Sequence, residues 1–334
     1  MTQRLVLRRH VSGIGLICVE MKVLFVGSGN HGEISPIIKS QGDSLASAGI
    51  EIDYFLIKGK GLKGYLRQVK PLKSYVKKNH FDVIHAHYSM SAFAASLAGV
   101  RPVVVSLMGS DVKATRMYKL LICFFARFFH WKAIIVKSQD MYDDLQIKRA
   151  MIVPNGVDLD LFKPMDKTIC RQRLGWDVEK KSVLFPANPS RPEKDFALAK
   201  ESVDLLEGEV KIHVFEQIEH QRTPLFFNAA DVVLLTSKWE GSPNVIKEAM
   251  ACGCPVVSTD IGDVRERMAG VEGCYVAITR EPKELAELMQ KALLFKGRTK
   301  GRDKIVADGL DNRQVARRLV DIYVKVLQSG NQQN

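Results

Sequence analysis

The chain reads as an α/β protein of two similar domains, each a parallel sheet assembled from βαβ units. Apolar runs of strand length alternate with helical segments from Met21 to about Asp160, and a second alternating block starts at Ser182. Between them lies Val153-Pro154-Asn155-Gly156-Val157-Asp158-Leu159-Asp160-Leu161-Phe162-Lys163-Pro164, rich in turn formers, with a proline near each end. A chain of 334 residues with 46% hydrophobic content suits two domains of roughly 150 residues, each with a core of its own.

Residues 1–20 stand apart. Arg4, Arg8 and Arg9 followed by Val11 to Val19 imitate a signal peptide, but the apolar stretch is short and interrupted by glycine, and no small-residue cleavage site follows. Met21 reads as the native start and residues 1–20 as a poorly ordered upstream extension. The first domain, 21–164, carries strands at Lys22 to Val26, Glu51 to Ile57, Asp82 to His85, Pro102 to Ser106 and Ala133 to Val136. The second, 165–310, carries Ser182 to Phe185, Val210 to Val214, Val232 to Leu235 and Pro255 to Ser258. A final helix in 311–330 has Val315, Leu319, Ile322 and Val326 at helical spacing and needs an apolar surface to cover.

The charge balance is 49 Lys+Arg against 37 Asp+Glu, or +12, which favours an anionic partner. Between Asp53 and Asp82 there is no acid, while Lys58, Lys60, Lys63, Arg67, Lys70, Lys73, Lys77 and Lys78 all fall there. An anionic membrane surface is one partner that stretch 58–78 would suit, and a solvated face is the other reading. The segment Tyr118 to Trp131, with Phe124, Phe125, Phe128 and Phe129 among Lys119, Arg127 and Lys132, would also suit an anionic membrane, but an aromatic helix in an α/β domain reads first as a core helix. The six cysteines form neither a zinc ribbon nor a CxxC pair, and their scatter suits a reducing cytoplasm. No run reaches the roughly 20 apolar residues of a membrane-spanning helix.

The most informative stretch follows the strand Val232 to Leu235. Gly241 loosens the backbone, and Ser242-Pro243 reads as an N-cap followed by proline at the first helical position. The N–H groups of Asn244, Val245 and Ile246 would then face an anion beyond the strand end. Glu240 before the helix and Glu248 about one and a half turns into it can flank that anion and accept hydrogen bonds from hydroxyls. A ligand with both phosphate and polyol groups, such as a nucleotide sugar, fits this set.

Arg191 and Lys194 follow the strand Ser182 to Phe185, placed to neutralise a diphosphate leaving group. His85-Ala86-His87 ends another strand with both imidazoles on one face, and no third metal ligand accompanies them. Asp158-Leu159-Asp160 lies in the linker and reads as a turn rather than a metal motif. Gly27-Ser28-Gly29-Asn30-His31-Gly32, with Asp53 downstream, matches a dinucleotide fingerprint. Pro36 argues against that reading, because a helix begun inside the glycines would carry it past its first turn. Ser35-Pro36 looks instead like a cap and first position.

The run Glu240-Gly241-Ser242-Pro243-Asn244-Val245-Ile246-Lys247-Glu248-Ala249-Met250-Ala251-Cys252-Gly253-Cys254-Pro255-Val256-Val257-Ser258-Thr259-Asp260 resembles the donor-site signature of the retaining family 4 (group 1) glycosyltransferases. The resemblance extends over Met21 to Leu327. It implies a GT-B fold, two facing Rossmann-like domains with a C-terminal helix crossing back to the first. It implies a retaining hexosyltransferase that uses a UDP- or GDP-sugar and a saccharide or lipid-linked acceptor in bacterial surface polysaccharide biosynthesis. Glu240, Arg191 and Lys194 would be catalytic; Gly241, Ser242, Pro243, Asn244, Val245, Glu248 and Gly29 would bind donor; His85, His87, Gly109 and Asp111 would border the acceptor. Met108 stands where many relatives carry histidine or arginine, and Pro189 where the arginine more commonly falls. No cofactor beyond the nucleotide sugar, no metal and no nucleic acid are implied. The enzyme would be cytoplasmic and peripheral on the inner face of the membrane. A nucleotide-sugar epimerase, a glycosyl phosphorylase and a non-catalytic sensor are the alternatives on the same architecture.

Overall fold

The computed structural model describes residues 21–30, 32–113, 115–129 and 131–331; the expected extension 1–20 lies outside the described residues. Two compact units form. The first takes the described residues up to Val136, then Leu145–Val153 and the chain from Arg313 on, and the second takes Lys137–Asp144 and Pro154–Asn312.

The first unit holds β1 (Lys22–Ser28), β2 (Glu51–Ile57), β3 (Val83–His87), β4 (Val103–Ser106), β5 (Ala133–Val136) and β6 (Ala150–Ile152). They form one parallel sheet in the order β2-β1-β3-β4-β5-β6. Val23 to Val26 of β1 are fully buried, as a central strand covered on both faces requires. After β1 the chain makes a loop and enters the helix Pro36–Ser47 with Ser35 at the cap and proline at its start, as Ser35-Pro36 implied. Asp53, the residue a dinucleotide fingerprint would place on a ribose, accepts a hydrogen bond from Tyr75 Oη at 2.7 Å instead.

The second unit holds β7 (Lys181–Phe185), β8 (Val210–Val214), β9 (Val232–Leu235), β10 (Val256–Thr259) and β11 (Cys274–Ala277), parallel in the order β11-β10-β9-β7-β8. Strand order reverses at β7, which lies between β8 and β9. In open α/β sheets, ligands bind beyond the carboxyl ends of strands at such a point.

Three features differ from the sequence reading. Segment 154–164, placed with the first domain, belongs to the second: Val157 and Phe162 are buried in its core and Leu159 and Leu161 pack against them. β6 and β11 did not stand out as strands, because each is a short edge strand of mixed burial. The helix Arg116–Phe128 is not a core helix: Met117, Leu120, Phe124 and Phe128 are at least half exposed, while Ile122 and Ala126 face inward. Asp158 makes the turn expected of it, its Oδ1 accepting from the N–H groups of Asp160 at 2.9 Å and Leu161 at 3.1 Å.

From Arg313 the chain returns to the first unit. The helix Asn312–Asn331 buries Val315, Leu319, Ile322, Tyr323 and Val326 in the core that contains Phe25, Val104 and Ile135. Replacing Leu319, which is fully buried there, with alanine should cost about 2–5 kcal/mol. Urea unfolding followed by tryptophan fluorescence checks this; an unchanged midpoint would mean that the helix does not support the first unit.

Candidate functional site

The carboxyl ends of β7 and β9 bring the second unit's polar side chains together. After β7 the chain runs through Asn188 to a short 3-10 turn, Pro192–Lys194, and Asp195 follows in the left-handed region with φ 54°. Arg280 holds that strained residue, pairing with the Asp195 carboxylate at 2.6 Å and donating to the carbonyls of Ser237 at 2.7 Å and Thr236 at 3.0 Å. Thr236 Oγ1 donates to the Lys194 carbonyl at 2.9 Å. The loops after β7 and β9 are thus cross-linked by hydrogen bonds.

Across this junction Lys194 Nζ pairs with Glu240 Oε1, to which Ser237 Oγ also donates at 3.1 Å. Lys194 is buried apart from a tenth of its side chain, and Glu240 retains 21% exposure. A low-dielectric position strengthens this pairing and aims a cation beside the carboxylate. Arg191 does not join them; its guanidinium pairs with Glu193 at 2.6 Å and remains half exposed. The sequence grouped Arg191 and Lys194, and the structure brings only Lys194 to Glu240.

The loop after β9 turns tightly at Gly241 against Gly262. Gly262 has φ +55°, and a Cβ there would collide with the Gly241 carbonyl, so glycine is required. The helix Asn244–Ala251 then begins one residue later than Ser242-Pro243 suggested. Pro243 occupies the cap position, no side chain caps the helix and its first turn has no acid. Ser242 is not the cap because its hydroxyl donates to Asp263 Oδ2 at 2.8 Å. The early N–H groups of Asn244, Val245 and Ile246 are consequently left without an intrahelical or capping partner. Asn244 Oδ1 and Asp263 Oδ1 are buried acceptors with no hydrogen-bond partner among the described residues.

Lys247, unnoticed in the sequence, lies fully buried behind this loop and donates to the Asn155 carbonyl at 2.8 Å and to Ser242 Oγ at 3.0 Å. Burial lowers its pKa to about 8, against the pull of Asp263 and Glu248. Burial raises the pKa of Asp263, and Lys247 opposes that rise. Further along the helix, Glu248 Oε1 meets His220 Nε2 at 3.0 Å. His220 had no motif to mark it. It sits beside Phe162, ring centroids 5.4 Å apart, on a loop joined to the site only by folding.

The residues assigned to the acceptor lie in the first unit. His85 and His87 stack with centroids 4.3 Å apart, on one face of β3 as alternation required. His85 is engaged on both sides, Nδ1 with Tyr323 Oη at 2.6 Å and Nε2 with Ser106 Oγ at 2.8 Å. The Asp111 carboxylate accepts from the N–H groups of Ser89, Met108 and Gly109, each at 3.0 Å, so it organises the loop after β4. Gly29 is needed for packing: a Cβ there would stand 2.7 Å from Leu56 Cβ.

Comparison with known proteins agrees with this geometry. The family model "Glycosyltransferase Family 4" matches residues 39–161, and "Glycosyl transferases group 1" matches 188–294. The chain belongs to this family of glycosyltransferase enzymes. It is 27% identical over 211 residues to the putative teichuronic acid biosynthesis glycosyltransferase TuaC of Bacillus subtilis (strain 168), covering 55% of this chain and 54% of that protein. It is 25% identical over 245 residues to the UDP-Gal:alpha-D-GlcNAc-diphosphoundecaprenol alpha-1,3-galactosyltransferase of Escherichia coli, covering 58% and 63%. The chain thus spans somewhat over half the length of these curated relatives. Among solved structures it is similar to the sucrose-phosphate synthase of Thermosynechococcus elongatus (TM-score 0.77, 16% identity, 93% of this chain and all of that one). It is also similar to HepE of Anabaena in complex with UDP and glucose (TM-score 0.69, 19% identity, 92% of this chain and all of that one). These likenesses establish the GT-B fold.

The hydrogen bond that His220 donates to the Glu248 carboxylate raises the pKa of His220 above 6.5. A raised folded-state value means that the stabilisation is complete below 6.5 and disappears as pH climbs through the folded value. The stability gap between wild type and His220→Gln should therefore be larger in acid than in alkali. Urea midpoints of both proteins across this range test it, and a gap that widens with pH would contradict the pairing.

Proposed function

We propose that the protein is a retaining glycosyltransferase that moves a hexose from a nucleoside diphosphate sugar, of UDP or GDP type, to a saccharide or lipid-linked acceptor. The observation that carries this reading is the uncapped helix start at Asn244, flanked by Glu240 with Lys194 and by Glu248 with His220. An uncapped helix start favours phosphate, and the carboxylates accept from sugar hydroxyls. The HepE structure with UDP and glucose and the UDP-galactose named for the E. coli relative support a nucleotide-sugar donor.

In this reading Glu248 accepts from the ribose hydroxyls and the Gly241 to Val245 segment holds sugar and diphosphate. The C1–O bond to the diphosphate breaks with its electron pair leaving on phosphate. Lys194, Arg191 and the helix N–H groups stabilise the growing charge. The acceptor hydroxyl enters from the same face, forms the new C1–O bond and passes its proton to the departing phosphate oxygen. Glu240, already tied to Lys194 and Ser237, is poorly placed to attack C1 and serves to orient the sugar. No step requires a metal ion or further cofactor.

The relatives named for teichuronic acid and for a diphosphoundecaprenol-linked sugar support a place in bacterial surface polysaccharide biosynthesis. Among the described residues no helix is long and apolar enough to cross a membrane. We assign the enzyme to the cytoplasm, peripheral on the inner face of the membrane, with the exposed basic stretch 58–78 toward anionic lipid.

Product analysis with a panel of UDP-, GDP- and ADP-sugars should show transfer that depends on an acceptor. Interconversion of the sugar nucleotide without acceptor would identify an epimerase, dependence on free phosphate a phosphorylase, and binding without turnover a sensor. The matching nucleoside diphosphate at about 100 times its Kd should stabilise the protein by roughly 2.7 kcal/mol. Glu248→Ala should raise KM about tenfold or more with a smaller change in kcat. Arg191→Ala should lower kcat, roughly a hundredfold if its cation meets the leaving group in the transition state. Equal effects on both constants for both variants would remove these roles.

A further inference from the structure

The helix Arg116–Phe128 of the first unit turns its larger apolar side chains outward. Met117, Leu120, Phe124 and Phe128 are 65%, 64%, 50% and 61% exposed, and their spacing of three and four residues lines them up along one stripe. Leu121 beside them is 39% exposed. The opposite face is the one that packs: Ile122 and Ala126 are buried, and Phe125 lies against Phe93 with centroids 4.3 Å apart. A stripe of this size on a folded unit marks a surface that something covers.

The charge around it says what. From Lys113 to Val136 the sequence has no acid, while Lys113, Arg116, Lys119, Arg127 and Lys132 are all basic. The helices Gly61–Arg67 and Val69–Asn79 carry the other acid-free run, with Lys63, Arg67, Lys70, Lys73, Lys77 and Lys78 exposed and Leu62 and Leu66 exposed beside them. Both helices pack against the helix Ser89–Leu97, and so does Arg116–Phe128. One layer of the first unit therefore presents two acid-free basic segments and an apolar stripe.

We infer that this layer docks on an anionic lipid bilayer, with the helix Arg116–Phe128 lying in the interface and Met117, Leu120, Phe124 and Phe128 seated at the boundary of headgroups and acyl chains. Aromatic and leucine side chains on one face, with flanking bases, are what an interfacial helix requires. The bases of 58–78 supply attraction to anionic headgroups. The inference rests on the assignment of 58–78 to anionic lipid and adds the element that enters the membrane. Two segments without a single acid favour lipid over an apolar protein groove, which would need complementary acids facing both.

Flotation of the full chain with vesicles of phosphatidylcholine, alone or mixed with phosphatidylglycerol, tests this. Wild type should float with the mixed vesicles, and part of that binding should survive high salt. Lys70→Glu, Lys73→Glu and Lys77→Glu together should weaken flotation roughly fivefold for each base lost. Leu120→Ser, Phe124→Ser and Phe128→Ser together should abolish the salt-resistant part; unchanged thermal melting would show that the variant is folded. If the serine variant floats like wild type while the glutamate variant does not, the interfacial helix is wrong and the basic-surface assignment stands. If wild type floats with neither vesicle, both fall. A dimer that the serine changes dissociate, without flotation, would assign the stripe to a second copy. Flotation gained only on removal of residues 1–20 would assign the stripe to that segment, and each of these outcomes overturns the inference.

Discussion

A single buried ammonium holds the second unit's loop in shape. Lys247 Nζ, with no exposure to solvent, joins the carbonyl of Asn155 on the entering segment to the hydroxyl of Ser242 on the loop after β9. An unpaired charge in such a place would cost several kcal/mol, so the loop must keep the geometry that satisfies it. Ser242 is thereby turned toward Asp263 and away from the helix it precedes. An ordinary N-cap serine would occupy the N–H groups of Asn244 to Ile246, and this one leaves them open.

Topology supplies the rest. Because β7 lies between β8 and β9, the loops after β7 and β9 leave the sheet side by side, and Lys194 from one meets Glu240 from the other. Arg280 and Thr236 fasten those loops, so the pair is positioned by the framework and does not depend on two flexible side chains finding each other. A binding loop with rigid supports can recognise a strongly charged ligand without a large ordering penalty.

The two-domain α/β pattern and seven of the strands were legible because a central parallel strand is an almost continuous apolar run, and the edge strands Glu51–Ile57 and Val210–Val214 were legible because they are longer. Ser35-Pro36 likewise announced the helix start that sets aside the dinucleotide reading. The edge strands Ala150–Ile152 and Cys274–Ala277 were not legible, since short half-covered strands lack that signature. At the site, Glu240, Lys194, Glu248 and the helix after Pro243 could be read from local order, whereas His220, Arg280 and Lys247 could not. Their contacts span 28 to 92 residues along the chain and carry no spacing rule. The outward face of Arg116–Phe128 was ranked behind a core role for a related reason: a stripe of phenylalanine and leucine has the same periodicity whether a core or a solvent-facing surface lies beyond it.

A crystal structure with the nucleoside diphosphate that gives the largest thermal stabilisation tests the central claim most directly. The account predicts diphosphate on the N–H groups of Asn244 to Ile246 and the ribose hydroxyls on Glu248. Nucleotide bound at the glycines 27–32 of the first unit, with the helix start at Asn244 unoccupied, would contradict it.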